Sequence, residues 1–372
     1  MAYKQMAGMS KTNYPIHVLI TGVSGGSIGE QVCKSLLMGR HTYQLVATNT
    51  TRDATKVIRA NMVDVLPVAS SDEYIDALLD LVRRYEIQFL IPGSEPELIK
   101  LSKNLDAFSN LDLKVLINAP QVIATCVDKK STFEFLSQNG FHVPYTVLSE
   151  SADNKINHSV SFPCIIKPAL GGGGSAATFI AQDQEELNFF VRYLIKYGYH
   201  PLIQEYIPDA ENEYTVGVLH SPRGKLIGTV VLRRQMLAGL SNRLRIANQT
   251  GRPEMGRMLA VSSGISQGEI VEFEPVRRIA EKIAKTIGSV GPLNIQGRWD
   301  GSRFIPFEIN PRFSGTTPMR ALAGFNEPER MIDAWLGINQ NENSEGAHLG
   351  TCIRGLTEYF IPLDGGEVLS SV

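Results

Sequence analysis

The sequence predicts two kinds of fold in one chain: a doubly wound α/β domain, then an α+β region with a small lid and a largely antiparallel sheet. The first observation is length, because 372 residues exceed the usual size of a single hydrophobic core. The second is an alternation of short apolar strands and helices from residue 17 to about residue 117, which is typical of a parallel sheet. The third is a change after residue 202 to longer strands joined by turns, which favours antiparallel pairing.

The first predicted domain covers residues 1–120 and is doubly wound. Short β-rich runs predict its strands, and amphipathic or glycine-opened stretches predict its helices. The predicted strands are 17–20, 43–48, 88–91 and 115–117, and the predicted helices are 29–38 and 74–85.

The second predicted domain, residues 121–204, is a linker helix followed by a lid, and the third, residues 205–372, is a C-terminal antiparallel unit. A helix over 127–139 is closed by Gly140, with Pro144 soon after, which is a common helix ending. A strand over 163–168 leads into a run of four glycines, and a helix over 185–197 follows. The later predicted strands are 202–207, 213–220, 225–233, 293–299 and 304–309, with a helix at 275–287.

Composition excludes several functional classes. The net charge is only -2, from 36 basic and 38 acidic residues, so nothing pulls the chain towards nucleic acid or an anionic membrane. No apolar run approaches the roughly 20 residues that span a bilayer, and the first 14 residues lack an apolar signal-peptide core. The four cysteines have no metal-binding spacing, which favours a reducing compartment. We therefore expect a soluble cytoplasmic protein.

The first glycine cluster, residues 21–29, directly follows a strand and opens a helix. That is where a dinucleotide phosphate would bind, because glycines let the backbone approach a phosphate at a helix N-terminus. A dinucleotide site also needs an acidic residue after the second strand, and the sequence there is Ala47-Thr48-Asn49-Thr50. We therefore favour a tight turn without a cofactor, with NAD as the second interpretation.

The second glycine cluster is more informative. Lys167 ends an apolar strand four residues before Gly171, the first of four consecutive glycines. A flexible glycine loop can fold over phosphates and donate backbone N–H groups, while a lysine supplies positive charge. The cluster is not a P-loop, because no Gly-Lys-Ser/Thr follows. A surface linker would rarely follow so apolar a strand, so we favour phosphate binding.

The hairpin over residues 294–312 carries the strongest pattern. A short turn at Asp300-Gly301 places Gln296 near the Glu308 end of the partner strand. Glu308, Asn310 and Arg312 are two residues apart and are expected to share one face, with Phe307 and Ile309 on the other. Such a face suits magnesium that is bound mainly through nucleotide phosphates. Arg312 would then offset charge on a phosphoryl group in transfer.

The order and spacing of these motifs resemble the ATP-grasp superfamily, most closely its carbamoyl-phosphate-synthetase-like branch. The resemblance covers residues 17 to about 337. It implies an N-terminal pre-ATP-grasp domain followed by an ATP-grasp fold, in which a glycine-loop lid closes over ATP against the C-terminal domain. It also implies a role for each residue that matches a family motif.

The implied roles fall into three groups. Lys167 and Arg312 would act on the transferred phosphoryl group. Gln296, Glu308 and Asn310 would bind Mg²⁺, for which Mn²⁺ could substitute. The remaining residues would bind ATP: Lys129 and Lys167 through its phosphates, Gly172 and Gly173 in the loop that closes over it, Glu205, Tyr206 and Ile207 in a hinge that meets adenine, and Glu213 through the ribose hydroxyls.

The resemblance implies an ATP-dependent ligase that converts a small carboxylate to an acylphosphate and couples it to an amine, releasing ADP and phosphate. A second arginine soon after Asn310-Pro311-Arg312 is missing, and there is room for one ATP-grasp unit, so bicarbonate is disfavoured as the substrate. The alternatives are an ATP-binding sensor of the same fold and, less favoured, an NAD(P)-binding oxidoreductase. Small-molecule substrates are the expected partners, and a homodimer is the default assembly.

Two further groups are ambiguous from the sequence. Glu95 and Glu97 could hold a substrate amine, but a helix capped by Ser94 explains them as well, and we favour the cap. The pairs Arg233-Arg234 and Arg243 with Arg245 suit either a substrate carboxylate or solvent, and the sequence does not choose between these.

Overall fold

The structure is a computed structural model of the chain. It describes residues 12, 14–52, 60–149, 160–171, 177–208, 210–237, 239–338, 346–355, 359–360 and 369–370. Within these ranges, no helix is both long enough and apolar enough to span a membrane.

The regular elements follow in chain order. The helices are α1 (Ile28–Leu37), α2 (Tyr74–Arg84), α3 (Glu95–Ser102), α4 (Pro120–Val127), α5 (Lys129–Gln138), α6 (Gln184–Lys196), α7 (Glu274–Thr286), α8 (Thr317–Leu322) and α9 (Glu327–Leu336). The strands of the first half are β1 (Ile16–Ile20), β2 (Tyr43–Asn49), β3 (Met62–Val65), β4 (Phe89–Ile91), β5 (Lys114–Val115), β6 (Thr146–Leu148), β7 (Cys164–Pro168), β8 (Phe179–Ala181) and β9 (Pro201–Glu205). Those of the second half are β10 (Glu213–His220), β11 (Leu226–Arg234), β12 (Asn242–Ala247), β13 (Met258–Ser262), β14 (Gly268–Val271), β15 (Pro292–Trp299), β16 (Phe304–Asn310), β17 (Gly350–Cys352), β18 (Tyr359–Phe360) and β19 (Leu369–Ser370).

The chain divides into two compact units. Unit 1 is residues 1–117, 313–346 and 352–372, and unit 2 is residues 118–312 and 347–351. The predicted boundary at residue 120 lies close to the first of these divisions. Helices α8 and α9, which belong to the range that the sequence assigned to the C-terminal subdomain, lie in unit 1. The boundary predicted between residues 204 and 205 falls inside strand β9 of unit 2.

Unit 1 contains the predicted doubly wound sheet. Its five strands are all parallel in the order β3-β2-β1-β4-β5. Strands β1 and β4 are apolar over almost their whole length and nearly fully buried, as expected for a parallel sheet covered on both faces. The α/β class predicted for this region is confirmed.

Buried polar contacts explain why helix α9 packs in unit 1. The Glu329 carboxylate accepts hydrogen bonds from the Arg40 N–H at 2.7 Å and the Tyr43 hydroxyl at 3.2 Å. Asp333, on the same helix, pairs with the Arg40 guanidinium and lies 2.8 Å from Nε2 of His41. Asp333 is fully buried, so these partners replace its lost hydration. These contacts join residues almost 300 positions apart in the sequence, so local sequence patterns could not predict them.

Unit 2 holds the predicted antiparallel strands. A four-stranded sheet with the order β6-β9-β7-β8 forms the lid region, and a larger sheet has the order β16-β15-β10-β11-β14-β17. One face of the larger sheet packs on α7 through apolar side chains such as Val216, Ile295 and Ile283. Its other face carries polar and charged side chains, and that face builds the candidate site.

The predicted helix over 127–139 corresponds to α5, which begins two residues later, and helix α4 directly before it was not predicted. The break falls at Asp128, whose backbone is extended and whose carboxylate accepts a hydrogen bond from the Lys130 N–H at 2.9 Å. An aspartate N-cap of this kind starts a new helix and fixes the position of its first turn, which includes Lys129.

Candidate nucleotide site

A cleft in unit 2 brings together most of the residues to which the sequence gave a role. It encloses about 620 Å³ of empty space, including the part that is open to solvent. Its walls come from the lid sheet, from the segment after β9 and from the polar face of the larger sheet. The predicted residues that line it are Lys129, Lys167, Glu205, Tyr206, Ile207, Glu213 and Glu308.

Lys167 is buried in the wall of this cleft, with 7% of its surface exposed. Its ammonium group donates to Oε1 of Gln204 at 2.8 Å and to the Phe307 carbonyl at 3.1 Å. Burial and the nearby positive charge of Lys129 lower the pKa of Lys167 to about 7, against an opposing effect of Glu308. A lysine of this kind gains a large Coulombic benefit when an anion such as a phosphate enters the cleft.

Lys129 and the glycine run are joined at the mouth of the cleft. The Lys129 ammonium group donates to the carbonyl of Gly171 at 2.8 Å, and its backbone N–H donates to the carbonyl of Ala169 at 3.1 Å. Gly171 has a φ of 71°, which a residue with a Cβ rarely adopts. The other two predicted loop residues, Gly172 and Gly173, lie outside the described residues.

The segment from Glu205 to Ile207 forms one side of the cleft, as the sequence analysis expected for a hinge. Tyr206 is almost fully buried, and its hydroxyl accepts a hydrogen bond from the Ala260 N–H at 3.0 Å. The exposed Glu205 carboxylate turns back and accepts from the Tyr145 N–H at 3.2 Å. The segment is therefore fixed at Tyr145, just before β6, and at Ala260 of β13, so this wall of the cleft is held in place.

The Glu213 carboxylate lies between two buried arginines. Arg298 Nε donates to it at 3.1 Å, and Arg234 Nη1 lies 3.2 Å from its other oxygen. Glu213 is fully buried, so the two cations supply the stabilisation that water would otherwise give. This double pairing was not foreseen for a residue that the resemblance assigns to ribose hydroxyls, and its ribose role stays a prediction.

Arg298 is a cleft residue that the sequence analysis missed. Besides Glu213, it donates to the Ile207 carbonyl at 2.6 Å and to the Ala260 carbonyl at 2.8 Å, and its guanidinium lies 4.9 Å from the Tyr206 ring centre. One side chain thus ties the segment after β9 to two strands. A signal was available, since Arg298 follows Gln296 by two positions and must share its face of β15.

The hairpin pairs the predicted metal ligands in register. Gln296 lies directly opposite Glu308, and Asn294 lies opposite Asn310. A bulge at Phe307, however, breaks the strict alternation of β16. Phe307 therefore lines the cleft, with its ring centre 6.0 Å from the Arg298 guanidinium. The expectation that Phe307 faces away from Glu308 was wrong for this reason.

The oxygen set of the hairpin fits magnesium. Arg234 donates to Oε1 of Gln296 at 3.3 Å, and Arg312 donates to Oδ1 of Asn310 at 3.0 Å. Because arginine only donates, both amide groups must present oxygen, and each oxygen keeps a second lone pair. Together with the Glu308 carboxylate they offer one charged and two neutral oxygens. Among the described residues no group of three His, Cys, Asp or Glu side chains could hold a metal, so an ion here would depend on substrate phosphates.

The N-terminal glycine turn, in unit 1, is explained by packing. A Cβ on Gly22 would lie 2.6 Å from Oε2 of Glu97, and one on Gly93 would lie 2.0 Å from the Thr21 carbonyl. Ser27 caps α1 by accepting from the Glu30 N–H at 3.1 Å. Steric demand thus explains Gly22 of the turn and Gly93 beside it, and the Ser27 cap fixes the start of α1. Ser94 caps α3 in the same way, as the sequence predicted.

Two family models match the chain. Residues 19–116 match the PylC-like N-terminal domain, and residues 200–354 match the model described as ATP-grasp in the biosynthetic pathway with Ter operon. The chain therefore contains an ATP-grasp region over residues 200–354 and a PylC-like region over residues 19–116. The predicted resemblance and fold class are both confirmed.

Curated relatives and solved structures agree with this class. The carbamoyl phosphate synthase large chain of Thermoplasma volcanium is 22% identical over 322 residues, which are 84% of this chain but only 28% of that relative's length. The crystal structure of an L-amino acid ligase from Bacillus licheniformis superposes with a TM-score of 0.63 at 16% identity, covering 90% of this chain and 78% of the other.

A second solved structure has a nucleotide in its title. The N5-carboxyaminoimidazole synthetase from Staphylococcus aureus complexed with ADP superposes with a TM-score of 0.61 at 15% identity, covering 92% of this chain and 82% of the other. At these identities the two superpositions establish the fold.

Proposed function

We propose that this protein is an ATP-dependent carboxylate–amine ligase. A small carboxylate, such as that of an amino acid, attacks the γ-phosphorus of ATP, and the bond to the β-phosphate bridging oxygen breaks to give ADP and an acylphosphate. An amine then attacks the acyl carbon, phosphate leaves, and an amide forms. The observation that carries the proposal is that Lys129, Lys167 and Glu308 meet in one cleft beside the segment 205–207.

The side chains of the cleft and of the hairpin would divide the work by position. Tyr206 and Ile207 offer an apolar slot for adenine, and Lys129 with Lys167 would bind the phosphates. Arg312 would offset the charge that develops on the transferred phosphoryl group. No protein nucleophile is needed, so the catalytic contribution is positioning and charge stabilisation.

Gln296, Glu308 and Asn310 would hold Mg²⁺, with Mn²⁺ as a substitute. When bound, the ion would neutralise phosphate charge and help to align the transferred group. Each amide oxygen accepts one hydrogen bond from an arginine, and its second lone pair would be available to the ion. Gly172 and Gly173 would close over the phosphates and exclude water from the acylphosphate.

The proposal is tested by chromatography of nucleotides. The purified protein is incubated with Mg-ATP and pools of amino acids and small carboxylates, and ADP and AMP are followed separately. We expect ADP and phosphate to form in a pool-dependent way, and splitting the active pool then identifies both substrates. AMP with pyrophosphate would indicate adenylation and would overturn the acylphosphate mechanism.

The second candidate is an ATP-binding sensor without ligase activity. One observation favours it: the Glu213 carboxylate and the two amide oxygens are already engaged by Arg234, Arg298 and Arg312. Tight ATP binding without turnover in any pool would support this candidate. An oxidoreductase is the least favoured alternative, and an unchanged NAD(P)H fluorescence spectrum on adding the protein would argue against it.

The setting of the reaction is also part of the proposal. The cysteines Cys33, Cys126, Cys164 and Cys352 are all free, which fits a reducing cytoplasm. The substrates are small molecules, and a homodimer is the expected assembly.

A further inference from the structure

An aromatic stripe on helix α6, in unit 2, faces solvent. The exposed fractions of its rings are 56% for Phe189, 41% for Tyr193 and 59% for Tyr197, and Tyr199 just beyond the helix is 41% exposed. These rings contact one another, with centre distances of 6.5 Å between Phe189 and Tyr193 and 4.8 Å between Tyr193 and Tyr197. A continuous apolar patch of this kind is often the largest on a soluble protein, and such patches are often functional.

The opposite face of α6 is fully used inside unit 2. Leu187, Val191 and Leu194 are buried in the lid core against strands β7 and β9. Tyr193 also lies edge-on to Phe179 of strand β8, with ring centres 5.6 Å apart, yet 41% of Tyr193 stays exposed. Large exposed rings lower the solubility of a protein, and aromatic residues are enriched in protein interfaces. The stripe is therefore a candidate binding surface.

Charges along the stripe are arranged with opposite signs at its two ends. Glu185 lies in the first turn, while Arg192 and Lys196 lie in the second half of the helix, and all three are exposed. Positions 185, 189, 192 and 196 lie four, three and four residues apart, so they form one continuous row on the helix surface. No ion pair involving these three charged residues occurs among the described residues.

This row is complementary to itself in one orientation only. When two copies of α6 pack antiparallel about a two-fold axis, Glu185 of each copy faces Lys196 of the other. The same register sets the ring of Phe189 against the guanidinium of Arg192, a favourable cation–π geometry. Parallel packing would instead place like charges together. We infer that the exposed face of α6 is a homodimer interface in which a second copy of this chain packs antiparallel on Phe189 and Tyr193.

The exposed area of the aromatic stripe is large enough for the centre of such an interface. Four aromatic side chains that are each about half exposed offer roughly 400 Å² per copy, and charged neighbours would extend this towards the ~800 Å² per partner of an ordinary specific contact. Symmetry doubles each contact across a two-fold axis. We therefore expect a reversible dimer with a dissociation constant in the micromolar range.

Sedimentation velocity of the full-length protein over a hundredfold range of concentration tests the interface. The wild type is expected to pass reversibly from monomer to dimer. Glu185→Lys and Lys196→Glu should each weaken the dimer about tenfold, because each change replaces two attractions by two repulsions. The double variant Glu185→Lys/Lys196→Glu should restore dimerisation, since the opposite charges face each other again.

Control variants show whether the effect is specific to the stripe, and two outcomes would contradict the inference. Asp106→Lys and Lys103→Glu make the same charge changes at exposed positions of unit 1 and should leave the dimer unchanged, and Phe189→Ser should abolish it with no loss of circular dichroism signal. A wild type that stays monomeric throughout overturns the inference, and this includes the case in which the stripe is covered by another segment of the same chain. A dimer that the single charge reversals do not weaken, or that the double variant does not restore, overturns the antiparallel interface.

Discussion

Two buried charge clusters, one in each unit, look alike in composition but differ in what surrounds them. In unit 1, Asp333 and Glu329 are matched by Arg40, His41 and Tyr43. In unit 2, Glu213 is matched by Arg234 and Arg298. Both carboxylates at the centre, Asp333 and Glu213, are fully buried, so burial of charge does not by itself mark a functional site.

The difference lies in the neighbours of each cluster. The partners of Asp333 join helix α9 to the segment 40–43 of the same unit, so the role of this cluster is structural. The partners of Glu213 line the cleft or contact a predicted metal ligand, since Arg298 lies in the cleft wall and Arg234 donates to Gln296. A buried charge network supports a reaction only where it also faces a space that a substrate can enter. Changes in the first cluster should therefore cost stability, and changes around the second should cost binding and turnover.

The largest effect is expected from Glu308→Ala, which removes the only carboxylate of the predicted magnesium set. We expect ligase turnover to fall by at least about 10³-fold, as when a group that stabilises transition-state charge is lost. The melting temperature should change little, because Glu308 is half-buried at the cleft. ADP formation under saturating Mg-ATP provides the measurement, and Glu272→Ala, at an exposed position, is the control. Normal ATP turnover in the variant would show that the metal site is misassigned.

Asp333→Asn should separate the first cluster from the second. It removes the buried carboxylate that pairs with the Arg40 guanidinium and lies 2.8 Å from His41, so the free energy of unfolding should fall by about 3–5 kcal/mol. The affinity of the remaining folded protein for ATP should be unchanged. Urea unfolding together with ATP titration measures both, and Asp80→Asn, with a side chain 69% exposed, is the matched control. A loss of ATP affinity with full stability would reverse our assignment of the two clusters.

Arg298→Met tests whether the second cluster holds the cleft in shape. The change leaves the carbonyls of Ile207 and Ala260 without their donor, a cost of about 1–3 kcal/mol divided between folding and binding. We expect ATP affinity to fall about tenfold. Calorimetric titration with ATP is the measurement, and Arg303→Met at the exposed hairpin turn is the control. Equal ATP affinity in both variants would mean that Arg298 does not position the nucleotide segment.

The smallest expected effect is the uptake of a proton when ATP binds. Because the pKa of Lys167 is lowered to about 7, this lysine is largely neutral above pH 7 and must regain a proton when phosphate binds. ATP binding at pH 8 should therefore take up close to one proton, and far less at pH 6. Calorimetry in buffers of different ionisation enthalpy measures the uptake, which should vanish in Lys167→Ala but persist in Lys103→Ala.

The same titration has a defined effect on stability. The unfolded lysine has a pKa near 10.4, so between about pH 7 and pH 10 the unfolded state binds more protons than the folded state. The penalty of burying the charged amine is fully present below pH 7 and is relieved as the pH rises. The wild type should gain stability over this range relative to Lys167→Ala. An identical pH dependence in both proteins would contradict a depressed pKa.

Much of the architecture was predictable because it rests on local patterns. The alternation of apolar strands and helices gave the parallel sheet of unit 1, and the turn at Asp300-Gly301 gave the pairing of Gln296 with Glu308. Local departures from these patterns were harder to predict. The bulge at Phe307 and the helix break at Asp128 each depend on one residue whose alternative conformation is stabilised by its surroundings.

The sequence by itself determined the class of fold and the order of the motifs, because periodicity, glycine runs and strand register are properties of neighbouring residues. Only the tertiary structure decided which unit holds helix α9, and that Arg298 and Arg234 enclose Glu213. These arrangements join residues far apart in the chain, such as Asn326 and Ser35. Their stability comes from burial of paired charges, which exists only once the chain has folded.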